Sequence, residues 1–146
     1  RHNINVGMHF NLTEGKPVSN GDDVKSLVDK NGDFFKPFSF LARYFLGLIK
    51  MEDIEKEFLE QIKRLDNAGL KLTHFDGHCY IHMLPGVMDI AVKICKKHGI
   101  NKTRLAYERW SCKTNGISVF LTYNFWVRKF MPSLFAGKIK KMLERN

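Results

Sequence analysis

Three histidines and an aspartate fall within nine residues, in the run His74-Phe75-Asp76-Gly77-His78-Cys79-Tyr80-Ile81-His82. Imidazole nitrogens and carboxylate oxygens are together the donor set for zinc and for other divalent metals. They also suit a hydrogen-bonded buried network that holds no metal. On a helix His74, His78 and His82 would share a face. On a strand His74, Asp76 and His78 would share one instead. Gly77 inside the run, the Gly69 break before it and Pro85 after it favour a strand that runs out into a loop. The polar face of that strand then presents imidazole and carboxylate together.

A further histidine gains weight from its position. Ile4, Val6, Met8 and Phe10 alternate with Asn5, Gly7, His9 and Asn11. Strict alternation predicts a strand with one apolar face, the other carrying His9 and Asn11. A lone strand histidine is ordinarily structural. His9, however, lies at the late end of its strand, as His78 does, and two strand-end histidines can converge on one ion.

The elements that must position these residues follow the same logic. Residues 14–20 read as loop by composition. Residues 20–36, rich in Gly, Asp and Asn, read as loop with one turn around residues 24–28. Phe34, Phe35, Phe38 and Phe40 form an apolar cluster that packs this loop or starts a helix through Leu48. Ile54, Phe58, Ile62 and Leu65, with Leu59 beside them, recur at helical spacing. Glu52 and Asp53 favour that helix's N-terminus through its dipole, and Gly69 sits where it would stop. Leu70, Leu72, Thr73 and Phe75 read as extended. Pro85 suits a first helical turn, Val87, Ile90, Ala91, Ile94 and Cys95 carry the next helix, and Lys96-Lys97-His98-Gly99 closes it. Residues 100–106 read as another strand. Residues 119–130 and 137–144 read as basic amphipathic helix broken near Pro132. Alternating strand and helix is the βαβ signature of an α/β fold with a parallel sheet. Such a sheet places its chemistry at the C-terminal strand ends, where His9, Asp76, His78 and Arg104 fall.

The composition narrows the function classes. The chain has 146 residues, 44% of them hydrophobic, so it fits about one domain with a real core and is not disordered. No apolar run reaches the roughly 18 residues that span a bilayer, and no secretory signal pattern opens the chain. Cys79, Cys95 and Cys112 are odd in number, widely spaced and without a CxxC, which argues against a disulfide framework or zinc ribbon and points to a reducing, cytoplasmic setting. Charge is lopsided: residues 1–73 hold 11 basic and 11 acidic side chains, whereas residues 74–146 hold 13 and 4. The excess allows an anionic partner such as nucleic acid, or else a solvated helix face. Aromatics do not interleave with the basic residues as a stacking platform needs, and no helix-turn-helix, RNP or phosphate loop is present.

Two stretches resemble a known family. Val6-Gly7-Met8-His9-Phe10-Asn11-Leu12-Thr13-Glu14-Gly15-Lys16-Pro17-Val18 is similar to the VGxHxNLTxGxPV stretch of YdjC-like carbohydrate deacetylases, which include chitooligosaccharide deacetylases. Thr73-His74-Phe75-Asp76-Gly77-His78 through His82-Met83-Leu84-Pro85 is similar to their THxDxHxHxHxxP motif. Glu57 and Gln61, Thr103-Arg104-Leu105 and Glu108-Arg109 also fit, so the resemblance runs from about residue 4 to residue 110.

The resemblance implies a deformed (β/α) barrel and metal-dependent removal of an acetyl group from an N-acetylated sugar or oligosaccharide. It implies His9 and His78 as ligands of a divalent ion, Mg2+ or Zn2+. A further Asp ligand and base belongs to an Asp-Asp-Phe-Gly segment that this sequence does not contain, and the same is true of a late His-Pro-Gly segment. Cys79 and Tyr80 stand where the family has His or Gln, then His. Asp76 is the carboxylate expected to serve the chemistry, by orienting a metal-bound histidine. His74, His82 and Arg104 are candidate substrate-binding residues. A (β/α)8 barrel takes about 250 residues and about 200 at least. The expectation is therefore an incomplete barrel with parallel strands, residues 1–146 forming an internal portion of one domain that lacks the N-terminal strand and the C-terminal part. The partners expected are an N-acetylated carbohydrate, no membrane and no nucleic acid, with homo-oligomerisation left open. The alternatives are a non-catalytic metal- or sugar-binding remnant, and a basic nucleic-acid-binding module built on residues 93–146.

Overall fold

The computed structural model describes residues 5–103. The alternation around His9 forms strand β1, Val6–Phe10, with Met8 and Phe10 buried and His9 on the open face. A single turn of 3-10 helix covers Gly21–Val24, inside the segment read as loop. Helix α1 runs over Pro37–Phe45, with proline at its first position, where the missing N–H costs nothing. Phe34 and Phe40 enter the core, but Phe38 is 73% exposed, so the phenylalanine cluster is split by the helix rather than buried whole.

Helix α2, Met51–Asn67, buries Ile54, Phe58 and Ile62 on the stripe that the spacing predicts. It ends at Gly69, whose φ of 73° turns the chain so that Leu70 N–H donates to the Leu65 carbonyl. Strand β2, Leu72–Gly77, follows. Helix α3 covers Val87–Lys97. Its cap is Gly86, whose N–H donates to the Asp89 carboxylate. Pro85 therefore sits ahead of the cap rather than inside the first turn, and its carbonyl accepts the Tyr44 hydroxyl at 2.7 Å.

β1 and β2 pair in parallel, confirming the α/β reading, with α1 and α2 in the crossover between them. Thr103 pairs with Phe75 in parallel, and Phe75 N–H donates to the Lys102 carbonyl at 2.9 Å. β2 thus lies between β1 and the opening of the strand expected at residue 100. Residues 104–106 of that strand, and the basic helices read over residues 119–130 and 137–144, lie outside the described residues. A single apolar cluster fills the space between sheet and helices, with Phe10 stacked on Phe58 at 4.0 Å between ring centroids. No helix among the described residues is long and apolar enough to cross a membrane.

Candidate metal centre

The register between the two strands builds the site. Val6 pairs with Leu72, but a shift follows, so that Gly7 pairs with His74 and His9 with Asp76. Paired residues on parallel strands share a face. The shift therefore brings the Asp76 carboxylate to His9, and its Oδ1 lies 2.6 Å from His9 Nδ1. Thr73, the residue left over, turns its hydroxyl to the Val6 carbonyl at 3.2 Å.

His78 lies one residue past β2, so it does not share the strand face with His74 and Asp76 as the alternation predicts. It still reaches His9: His9 Nε2 and His78 Nδ1 face each other at 3.5 Å, with the rings edge to face. After His78 the chain takes left-handed geometry at two successive non-glycine residues, Cys79 (φ 51°) and Tyr80 (φ 56°). Strained backbone of this kind persists only where surrounding contacts over-determine it. Here it turns the chain sharply at the strand end and leaves His78 beside the β1 terminus.

A second carboxylate enters from the loop after β1. Glu14 Oε2 lies 3.0 Å from His78 Nε2. The loop is held from both sides. Asn11 Oδ1 accepts N–H bonds from Thr13 and Glu14, and Asn11 Nδ2 donates to the Glu14 carbonyl at 2.6 Å. The Gln61 amide bonds both backbone groups of Asn11, accepting its N–H at 3.1 Å and donating to its carbonyl at 2.7 Å. Glu57, fully buried, accepts from Val18 N–H, Ser19 N–H and Gln61 Nε2. Three donors satisfy a carboxylate that burial would otherwise penalise.

The proton inventory follows from these bonds. Ionised carboxylates only accept, so the outer nitrogens, His9 Nδ1 and His78 Nε2, carry hydrogen. If both rings are neutral, both inner nitrogens hold lone pairs, and two lone pairs turned on each other attract a cation. Two nitrogens each about 2.1 Å from a tetrahedral zinc stand roughly 3.4 Å apart. The observed 3.5 Å separation fits that edge. The donor set therefore fits a divalent ion held by His9 Nε2 and His78 Nδ1. Among the described residues no three His, Cys, Asp or Glu side chains close around one point.

The other expected site residues fall elsewhere. His74 lies over Gly7, where any side chain would collide with its ring: a Cβ there would stand 2.3 Å from His74 Nε2. Its Nδ1 is 3.0 Å from the Thr73 hydroxyl. It shares the face of Asp76, one pleat nearer the start of the strand. His82 is 2% exposed, tucked against Gly77 and edge-on to Phe75, so in the described structure it underlies the strand end and offers no open surface. Arg104 and the pair Glu108-Arg109 lie outside the described residues, as does most of the basic segment 93–146. A depression of about 400 Å³ adjoins the pair, lined by Thr13, Glu14, Lys36, Pro37, Phe38, His78 and Cys79. Sequence reasoning assigned no role to Glu14 or to the Asn11–Gln61–Glu57 clamp. The clamp had a signal: Glu57 and Gln61 occupy the apolar stripe between Ile54, Phe58 and Ile62, where a polar side chain needs buried partners.

The sequence matches the family described as YdjC-like protein over residues 1–144. It is 34% identical over 110 residues to a carbohydrate deacetylase of Xenopus laevis, covering 74% of this chain and 36% of that protein. It is 37% identical over 94 residues to a carbohydrate deacetylase of Oceanobacillus iheyensis, covering 64% of this chain and 39% of that one. The chain thus spans under two fifths of the length of these relatives. A crystal structure from Enterococcus faecalis, of a protein proposed to cleave cellobiose phosphate, superposes with a TM-score of 0.62 at 20% identity, over 92% of this chain and 44% of its own. That likeness bears on the fold alone.

Proposed function

We propose, from the premise that this chain belongs to the YdjC-like family, that it contributes the two-histidine half of a divalent-metal centre to an enzyme that removes acetyl groups from N-acetylated carbohydrates. The observation that carries the reading is the facing of His9 Nε2 and His78 Nδ1 at 3.5 Å, each ring with a carboxylate on its outer nitrogen. Matched relatives named carbohydrate deacetylase support the reaction class.

In this reading His9 and His78 hold Mg2+ or Zn2+. When bound, such an ion supplies Lewis acidity, lowering the pKa of water from about 15.7 towards roughly 7 and polarising an acyl carbonyl. The chain's own residues prepare that position. Asp76 takes the His9 Nδ1 proton into a 2.6 Å bond, which locks the tautomer and makes the ring a better donor. Asp76 thus acts through His9 rather than on substrate. The clamp of Gln61 and Glu57 holds the loop that follows β1. The depression beside His78 is where the sugar would rest, with Phe38 offering an apolar ring and Lys36 a donor to hydroxyls. The resemblance puts a third ligand and the base on the carboxylates of an Asp-Asp-Phe-Gly segment, which residues 1–146 do not contain.

The test is acetate release from an N-acetylated chito-disaccharide by the full-length protein, followed against added Mg2+ or Zn2+. His9→Ala and His78→Ala should each drop it to background, and excess metal should hardly restore it. Metal binding without acetate release by the unaltered protein would replace this reading with the non-catalytic one. Full activity in His78→Ala would remove the pair from the chemistry.

A further inference from the structure

The strand register accounts for the carboxylate on His9. Nothing in the register supplies one for His78, which stands beyond the last residue of β2. We propose that Glu14 is the positioning residue for His78, fixing its Nε2-protonated form and so aiming its Nδ1 lone pair at the metal position. This rests on the reading of His9 and His78 as the ligand pair.

The argument is one of donors and acceptors. Glu14 Oε2, 3.0 Å from His78 Nε2, only accepts. His78 Nε2 is therefore the protonated nitrogen. In a neutral ring the lone pair then sits on Nδ1, the atom that faces His9. The same pairing limits the ring's rotation. Among the described residues Glu14 is the group bonded to that nitrogen.

Glu14 is also pre-placed. Asn11 accepts its N–H at 3.2 Å and donates to its carbonyl at 2.6 Å, so the backbone from which the carboxylate reaches is held. Its side chain is 68% exposed. Replacing that side chain removes the contact to His78 while leaving the Asn11 bonds to the backbone in place. The centre is thus two imidazoles held apart by two carboxylates of separate origin, Asp76 from the neighbouring strand and Glu14 from the loop.

The experiment uses the metal-free, full-length protein labelled with 15N histidine, with circular dichroism as the control for folding. Long-range 1H–15N correlation reads the tautomer of each ring. His78 should be protonated at Nε2, and Glu14→Ala should convert it to a tautomer mixture. Glu14→Gln should keep the tautomer, because the amide carbonyl still accepts. Zinc, titrated against a competing chelator, should bind Glu14→Ala about 10- to 100-fold more weakly, the usual scale for such partners, and Glu14→Gln less weakened. An unchanged His78 tautomer in Glu14→Ala, or unchanged zinc affinity, overturns the proposal. Failure of the ligand-pair reading looks different: His9→Ala then leaves zinc affinity untouched, while Glu14→Ala still shifts the tautomer.

Discussion

Asp76 and His78 are two residues apart and, in the proposed centre, have different roles. Asp76 Oδ1 is committed to His9 Nδ1, whereas His78 presents Nδ1 to the shared position. Replacing Asp76 by Asn keeps the shape and an accepting carbonyl but removes the negative charge paired with the ring. Asp76→Asn should therefore lose about 10- to 100-fold in metal affinity or activity, and excess metal should restore part of it. In the proposed centre His78→Ala loses a donor atom, and added metal has nothing to bind in its place. Acetate release measured against metal concentration separates the two. If Asp76→Asn is as inactive as His78→Ala and as indifferent to metal, Asp76 is itself a ligand or the base.

Among the elements, the end of β2 is where packing and site geometry meet. Gly77 has extended backbone at φ −152°, so no left-handed turn requires glycine there. The requirement is space: a Cβ would stand 2.5 Å from His82 Nδ1 and 2.8 Å from His82 Cβ and Cγ. Because the root of the His82 side chain is among the clashing atoms, rotating the ring does not relieve the overlap. Gly77→Ala should cost about 1–3 kcal/mol, the usual range for overpacking a core. Urea unfolding of the single variant, of His82→Ala and of the pair checks this as a double-mutant cycle. The penalty should shrink but not vanish in the His82→Ala background, because alanine removes Nδ1 and Cγ and keeps the Cβ that would stand 2.8 Å away. Strictly additive losses would show that the two residues do not collide. This steric relation places His82 under the strand end as a packing residue, one step below the pair it supports.

Across the molecule, the described core is continuous from β1 through α2 to α3, and Cys95 reports on how well it is sealed. Cys95 is fully buried, and loss of water pushes its thiol from 9.0 up to about 12. Below pH 9 the thiol is neutral whether the chain is folded or unfolded. Between pH 9 and about 12 the unfolded chain releases the proton while the folded one keeps it, so this group's share of stability is lost as pH rises through that window. Relative to Cys95→Ala, the parent protein should weaken over the same window. At pH 8 iodoacetamide should leave Cys95 unlabelled in the native state and label it in urea, as read by peptide mass spectrometry. Native labelling as fast as in urea would mean that the core opens around α3. Most of the charge excess lies elsewhere: residues 104–146, outside the described structure, carry nine basic and two acidic side chains.

The amino-acid sequence alone determined the elements. Alternation over residues 5–10 specified β1, and the stripe of Ile54, Phe58 and Ile62 specified α2, because each pattern depends on chain periodicity alone. Candidate ligands were legible for the same reason, since His9 and His78 fall at strand ends whatever their partners. Their pairing was decided in three dimensions. A one-residue shift after Val6 exchanges Phe75 for Asp76 opposite His9, and no local pattern encodes that shift. The left-handed turn at Cys79 and Tyr80 is equally invisible, because neither residue type favours that conformation and surrounding contacts hold it there. Glu14 meets His78 across 64 residues of chain, through a loop whose shape is set by buried side chains on α2. Periodicity acts between near neighbours and is written in the sequence; the site is assembled from contacts between distant segments, which only the packed chain brings within bonding distance.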